Sequence, residues 1–563
     1  MHLLVPQFIQ ENFAQEKRRG EVSAASLFVD MSCFSTITDD LMAHGQHGAE
    51  VLANIMQPVF GALVRPVYEQ GGLITGFAGD AFTALFPLGE DESGVTKAFA
   101  AAWQMQQAMA PLIRHPTVYG DFFVNAKVGL ALGESRWGII RARAGHRAAY
   151  YFQGPAIDAS AEAEHLAQPG DIVLSAGMFE RLQGQVSASR IGDYFLVEAF
   201  KGEIPLPQAL TPPTIDLNVQ RRFFPESLAT LELSGEFRQV VNLFIGLSAV
   251  RTEEQLDLFM QSVFELQDRY GGLLNRLDFG DKGVNLLLFW GAPVAYENDI
   301  QSALNFVLDL QARTSIPINA GVSYQIANAG FIGSPLHEEY TAYGRGVNLA
   351  ARFMSSAARG EIWVDAQVAN KAQAQFELEP AGDMVFKGFE EKQAVFVLVD
   401  RKDEAEVVDP GPLVGRVAEL HQIAEFVSPL WKGQFAGVLV ISGEAGIGKS
   451  RLVREFQVSP SLKEHDSRLV TCRTDEVLRT PLGPFRTVLR DFFQQSESQS
   501  EARNKRSFNR LMDDLIDASV QIDASLADEL DRTRSFVGAL LNLHWPDSLY
   551  EQLDAQGRYE NTL

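Results

Sequence analysis

Apolar and polar positions run through one order of elements twice. In Ala24–Asp30 (AASLFVD) an apolar run of strand type ends on a carboxylate, and a loop then opens a helix. A long helical pattern over Ala49–Tyr68 stops at Gly71-Gly72, and LITGF and FTALF flank Ala78-Gly79-Asp80 as a hairpin with Asp80 at its turn. A helix at Thr96–Met109, strands at Asn125–Leu132 and Ala148–Phe152, a helix at Ala156–Leu166 and a strand at Asp171–Leu174 complete the unit. The pattern then restarts. Val240–Ser248 (VVNLFIGLS) repeats Ser26–Ser32, and a helix over Glu253–Tyr270 ends at Gly271-Gly272. LNRLDFGDKGVNLLLFW forms a second hairpin, and Ile318–Gly333 echoes Val124–Ile140. Met384–Val399 answers Phe195–Leu206. This order predicts an internal duplication of a ferredoxin-like α+β unit.

Breaks in the pattern set the boundaries. An N-terminal helix falls in residues 1–20 and the first repeat in 21–203. A stretch at 204–232, rich in proline (Pro205, Pro207, Pro212, Pro213, Pro225), is expected to be a linker, and the second repeat spans 233–402. After a short linker at 403–412, residues 413–563 open a third piece. There an apolar run expected to be a strand feeds GEAGIGKS (Gly443–Ser450) and a helix, the context of a phosphate-binding loop. Its backbone N–H groups, at Gly443, Gly446 and Gly448 among others, would cradle phosphates, with Lys449 on the terminal ones and Ser450 on Mg²⁺. Asp513-Asp514 lies in a helical pattern and not at a strand end, so a partial P-loop ATPase domain of α/β type is expected, stopping before its second acidic motif.

Composition narrows the function. A formal charge of −24 over 563 residues argues against a nucleic-acid or anionic-membrane surface. Two distant cysteines, Cys33 and Cys472, make neither a disulfide framework nor a zinc motif, and no apolar stretch approaches the eighteen residues of a membrane span. The start has no signal-peptide pattern, so a cytoplasmic protein is expected. His44 and His47 form an H-x-x-H without companion ligands, and Arg143 and Arg147 read as solvated arginines.

The most chemically suggestive stretch is YTAYGRGVNLAAR (Tyr340–Arg352), shadowed by AYYFQGPAIDASAE at Ala149–Glu162. Asn348 and Arg352 project from one helix face, where the earlier copy carries Asp158 and Glu162. Alone, such a pair reads as a solvated face. An amide and a fixed cation aimed at one spot also suit a phosphate-transfer transition state.

The two repeats resemble class III nucleotidyl cyclase catalytic domains, and the order cyclase, cyclase, phosphate-loop ATPase resembles the soluble adenylyl cyclases. The resemblance implies two ferredoxin-like cyclase domains forming a pseudo-twofold heterodimer within one chain. Asp30-Met31-Ser32-Cys33-Phe34-Ser35 matches the family's Asp-Ile-x-Gly-Phe-Thr, and Gly79-Asp80 its hairpin aspartate. By resemblance, Asp30, Met31 and Asp80 belong to a site for two Mg²⁺ or Mn²⁺ ions, and Phe34 and Ser35 lie against the substrate. Asn348 then orients the ribose, Arg352 stabilises charge on the α-phosphate, and Lys387 neutralises the triphosphate. Arg276 and Thr341 meet the base, with Thr341 favouring adenine. The second repeat has Gly246 in place of Asp30, so each half holds what the other lacks, and one composite site with ATP as substrate is implied. The opposite site would be dead. Gly76 and Ala161 replace the lysine and arginine of the soluble cyclases' bicarbonate site, and Cys33 replaces a glycine. The implied function is an adenylyl cyclase. The alternatives are a guanylyl cyclase and a non-catalytic cyclase-like module regulating the ATPase, with Mg-ATP held at the P-loop.

Overall fold

The computed structural model describes residues 2–562 except 211–214, 230, 232–234, 281–282, 297, 390, 403–414, 444–447, 460–461, 463–464, 466–481, 496–500, 521, 542 and 554. Contacts divide the chain into two units, Met1–Glu404 and Ala405–Leu563.

In the first unit, α1 (Gln7–Ala14) precedes a repeat built from β1 (Arg19–Ser32), α2 (Phe34–Met42), α3 (Gly45–Glu69), β2 (Leu73–Ala78), β3 (Ala81–Pro87) and α4 (Ser93–Met109). It continues with a small hairpin, β4 (Arg114–Thr117) and β5 (Gly120–Phe123), then β6 (Asn125–Arg141), β7 (Ala148–Gln153) and α5 (Pro155–His165). β8 (Ile172–Ser175), α6 (Ala176–Arg181), β9 (Val186–Ile191) and β10 (Tyr194–Phe200) finish it. Helices α7 (Leu217–Phe223) and α8 (Glu226–Ala229) lie in the proline-rich connection. The second repeat runs β11 (Glu236–Gly246), α9 (Glu253–Tyr270), β12 (Leu273–Gly280), β13 (Gly283–Trp290), α10 (Asp299–Arg313), β14 (Asn319–Ser334) and β15 (His337–Tyr343). It ends with α11 (Arg345–Ser356), β16 (Ile362–Asp365), α12 (Ala366–Ala372), β17 (Phe376–Met384) and β18 (Gln393–Arg401).

The sheets have one topology: β2-β3-β1-β6-β8-β10-β9 with β7 on β6, and β12-β13-β11-β14-β16-β18-β17 with β15 on β14. Among the described strands only β6–β8 and β14–β16 pair in parallel, each across a helical crossover. Central strands are apolar on both faces because helices cover one side and the other repeat the other; in β11 the last seven residues, Val240–Gly246, are all buried. α9 starts with a capping box from Thr252 and Gln255. Its end turns through Gly271 and Gly272 at φ 68° and 84°, and a Cβ on Gly272 would meet Trp290 at 2.5 Å.

In the first unit two expectations change. The described residues of the proline-rich connection include two helices, and Phe224 and Leu228 are buried with Leu4, Val5 and Ile9 of the N-terminal segment. The echo of Val124–Ile140 in Ile318–Gly333 shifts by two residues. Gly129 takes the closest approach of α5, its Cβ position 2.1 Å from Ser160 O. Gly321 takes that of α11, 2.1 Å from Ala350 O, so Lys127 corresponds to Asn319.

In the second unit, α13 (Val417–Val427) and α14 (Lys449–Gln457) are followed by helices at Gly483–Phe492, Glu501–Val520 and Ala524–Leu540. The strand expected before the phosphate loop is not formed. Val438 and Val440 are 82% and 79% exposed, and among the described residues no neighbouring strand of this unit offers a ladder.

Candidate active site

A cleft of about 540 Å³ is lined by both repeats of the first unit. Asp30, Phe34, Asp80, Arg276, Thr341, Asn348, Arg352 and Lys387 all line it. The side chain of Met31 is buried in the core, which leaves only its backbone carbonyl for a metal. Ser35 follows Phe34 in α2.

Asp30 sits near the end of β1, opposite Ala81 on one side and Lys127 on the other. Asp80 occupies the β2–β3 turn after Gly79, whose φ of 71° makes the turn tight. Burial and then the charge of Asp30 push the Asp80 carboxyl up to about 7. Lys127, which the sequence reading passed over, offsets that repulsion: its Nζ lies 3.1 Å from Asp30 Oδ2 and also binds the buried Glu164 of α5. Two repelling carboxylates in a half-dry turn fit a divalent ion. Among the described residues no group of three His, Cys, Asp or Glu side chains forms a ready cage, so backbone, phosphate or water would complete the coordination.

The second repeat has no carboxylate at the position of Asp30, which is Gly246. Gly246 pairs with Asn319 as Asp30 pairs with Lys127, and a Cβ on Gly246 would lie 2.8 Å from Asn319 Oδ1. It supplies α11 instead. Gly344, at φ 139°, turns β15 into this helix, which carries Asn348 and Arg352. Among the described residues no carboxylate pairs with Arg352 or Lys387. In the first repeat, Glu162, the counterpart of Arg352, is tied to Tyr194 Oη at 2.5 Å.

Arg276 and Thr341 belong to one hydrogen-bond network. Arg276 Nη1 donates to Phe77 O at 2.8 Å, and Phe77 N donates to Glu339 Oε2 at 3.0 Å. Asn275 Nδ2 donates to Glu339 Oε1 and to Tyr340 O, and Thr341 Oγ1 donates to Asn275 Oδ1 at 3.0 Å. Glu339 and Asn275 were not anticipated. Cys33 caps α2 in the left-handed region at φ 66°, where a glycine would be at ease. His44 stacks on Tyr119 and His47 bonds its hydroxyl, with no metal constellation there among the described residues. In the second unit, Lys449 Nζ donates to Gly443 O at 2.9 Å and Gly448 precedes α14. Gly446 lies outside the described residues.

The family model described as "Adenylate and Guanylate cyclase catalytic domain" matches residues 297–400, and that described as "AAA ATPase domain" matches residues 412–553. The chain contains a class III nucleotidyl cyclase domain and an AAA ATPase domain. Adenylate cyclase type 10 of Rattus norvegicus is 23% identical to it over 513 residues, covering 78% of this chain and 31% of the relative. The Homo sapiens protein of that name is 22% identical over 508 residues, with the same coverage. The chain thus spans about a third of the length of these curated relatives. Among solved structures, the adenylyl cyclase CyaB from P. aeruginosa is 20% identical, with a TM-score of 0.28, covering 30% of this chain and 98% of that one. A class III adenylyl cyclase-like ATP-binding protein from Pseudomonas aeruginosa is 11% identical, with a TM-score of 0.43, covering 62% and 85%. No helix among the described residues of this cyclase homologue is long and apolar enough to cross a membrane.

Proposed function

We propose that the chain converts ATP to 3′,5′-cyclic AMP and pyrophosphate at one composite site between its two cyclase repeats, arranged as a pseudo-twofold pair. The observation that carries this reading is the complementarity of the halves in one cleft. Asp30 and Asp80 come from the first repeat, while Asn348, Arg352 and Lys387 come from the second.

Asp30 and Asp80 would hold Mg²⁺ or Mn²⁺, which when bound lowers the pKa of the ribose 3′-hydroxyl and neutralises the phosphates. Asn348 would fix the ribose so that its 3′-oxygen faces the α-phosphorus in line with the leaving pyrophosphate. Arg352 would place a permanent cation where charge builds on the α-phosphate, and Lys387 would offset the charge of the departing oxygens, while Lys127 steadies Asp30. Arg276 and Thr341 would receive the base. One guanidinium N–H of Arg276 is engaged by Phe77 O, and its buried Nε, which has no partner, remains a donor.

The test is direct. Purified protein with ATP and Mg²⁺ or Mn²⁺ should release cyclic AMP and pyrophosphate in equal amounts, and Asp30→Ala should release neither. Tight ATP binding without cyclic product would identify a non-catalytic sensor, and faster turnover of GTP a guanylyl cyclase.

A further inference from the structure

A second cavity, of about 850 Å³, shares no lining residue with the cleft. It is walled by the end of β6 and the β6–β7 turn, the start of β1, α7 and α9, and five arginines line it in a chain of charge −24. Arg19 is neutralised by Glu253 and, at 2.6 Å, by Asp257. Arg18, Arg141, Arg143 and Arg222 are not: among the described residues, no carboxylate lies within salt-bridge reach of any of them. The contrast with the same turn is sharp, since His146 and Arg147 both bond Asp268.

Arg141 is built into the wall. Its guanidinium stacks over the Phe13 ring at 3.8 Å, Nη2 donates to Phe13 O at 2.7 Å, and Nε is buried without a partner. Burial and then the charge of Arg18 hold Arg141 below the usual arginine range, with Glu16 opposing them, and Asp257, the carboxylate on the cavity wall, is already held by Arg19. The turn is pinned in place: Arg143 N donates to Gln261 Oε1 at 2.8 Å, Gln261 Nε2 to Arg141 O at 3.0 Å, and Arg222 Nη1 to Gly145 O at 2.8 Å. Four guanidiniums without a salt-bridging carboxylate line one cavity, so an anion there would meet several of them at once.

The geometry points to a binding site for a polyphosphate chain, that of free pyrophosphate or of a nucleoside triphosphate, held by Arg18, Arg141, Arg143 and Arg222. Guanidinium forks match phosphate oxygens two at a time, and several cations call for a multiply charged ligand. The cavity far exceeds one phosphate, and Ile139 and Leu258 add an apolar wall. The overall negative charge disfavours a nucleic acid or an anionic membrane as the source of the phosphates. A ligand here would tie the first repeat, the connecting helix α7 and the second repeat together, away from the cleft.

The experiment is hydrogen–deuterium exchange on the full chain without divalent ions, titrated separately with sodium pyrophosphate, ATP and orthophosphate. Pyrophosphate or ATP should slow exchange over residues 139–147 and 217–223 saturably. Slowing by both identifies the polyphosphate chain as the determinant, and slowing by ATP alone identifies the nucleotide. Arg143→Glu should weaken the apparent affinity at these peptides at least about tenfold, as for loss of charge-assisted hydrogen bonds. Lys387→Ala and Lys449→Ala should leave it unchanged. Arg141→Met tests the walled guanidinium, and because Arg141 also packs on Phe13, the exposed Arg143 separates lost contacts from lost folding. Protection confined to the cleft or the phosphate loop would overturn the proposal. So would protection that Arg143→Glu leaves intact, or an equal response to orthophosphate.

Discussion

The buried carboxylate of Glu339, in the second repeat, accepts the backbone N–H of Phe77, in the first, at 3.0 Å. Phe77 lies three residues before Asp80, and Arg276 holds its carbonyl at 2.8 Å, so the strand leading to Asp80 is gripped by the second repeat. Glu339→Ala should leave the Phe77 N–H and the Asn275 amide short of acceptors, at about 1–3 kcal/mol each. A lower melting temperature together with a lower kcat is expected. Glu339→Gln, which keeps one amide oxygen as acceptor, should lie between. Wild-type stability and turnover in the alanine variant would show that the grip is idle.

Burial, opposed by Arg276, pushes Glu339 up to about 7 from the ordinary 4.5. The folded protein therefore keeps a proton that the unfolded chain has released, and stability falls as pH rises from 4.5 through 7, by about 3 kcal/mol at most. His337, two residues earlier on β15, has the opposite sign: burial depresses it to about 4, so its contribution is lost as pH falls from 6.5 towards 4. Comparing wild type with Glu339→Gln cancels His337. Unfolding free energies at pH 5 to 8 should show the wild type losing ground to the variant as pH rises, and a constant difference would contradict the assignment.

Asp80 is a poor residue for stability, since burial and Asp30 both oppose its charge. Asp80→Asn should therefore melt higher than wild type at pH 8 without metal, while losing cyclase activity. Mg²⁺ or Mn²⁺ should raise the wild-type melting temperature and barely move that of the variant. Equal metal stabilisation of both proteins would remove Asp80 from the metal site.

Much of this architecture was legible in the chain because it rests on local signals. The doubled glycines after α3 and α9, the hairpin at Asp80 and the Gly344–Arg352 turn into a helix each depend on residues a few positions apart. Lys127, Glu164, Asn275 and Glu339 escaped notice because their meaning lies in partners distant in sequence, such as Asp30 for Lys127 and Phe77 for Glu339. The two-residue shift between Lys127 and Asn319 had the same origin, since only the close approach of α5 and α11 to Gly129 and Gly321 reveals it. The apolar run before Gly443 misled for a related reason: a strand forms only when a neighbour supplies its ladder.

Arg352 should act on the transition state and not on binding. Arg352→Ala is expected to lower kcat on the order of 10²–10³ with a small change in KM. A variant with raised KM and unchanged kcat would make Arg352 a ground-state phosphate ligand.

The direction of one hydroxyl carries the expected purine choice. Asn275 Nδ2 donates to the Tyr340 carbonyl, a pure acceptor, as well as to Glu339, so Asn275 Oδ1 must face Thr341. The Thr341 hydroxyl then donates to Asn275 at 3.0 Å, with Ala342 O at 3.4 Å as its alternative acceptor, and either bond leaves it only lone pairs to offer the cleft that it lines. An acceptor there suits the 6-amino group of adenine and opposes the 6-oxygen of guanine. We expect kcat/KM for ATP to exceed that for GTP by at least about tenfold, roughly 1.4 kcal/mol. Thr341→Val removes the acceptor at nearly constant volume, so it should lower kcat/KM for ATP and leave that for GTP unchanged or higher. Steady-state kinetics on both nucleotides decides the matter: if the variant keeps the wild-type ratio, the choice belongs to Arg276 and not to Thr341.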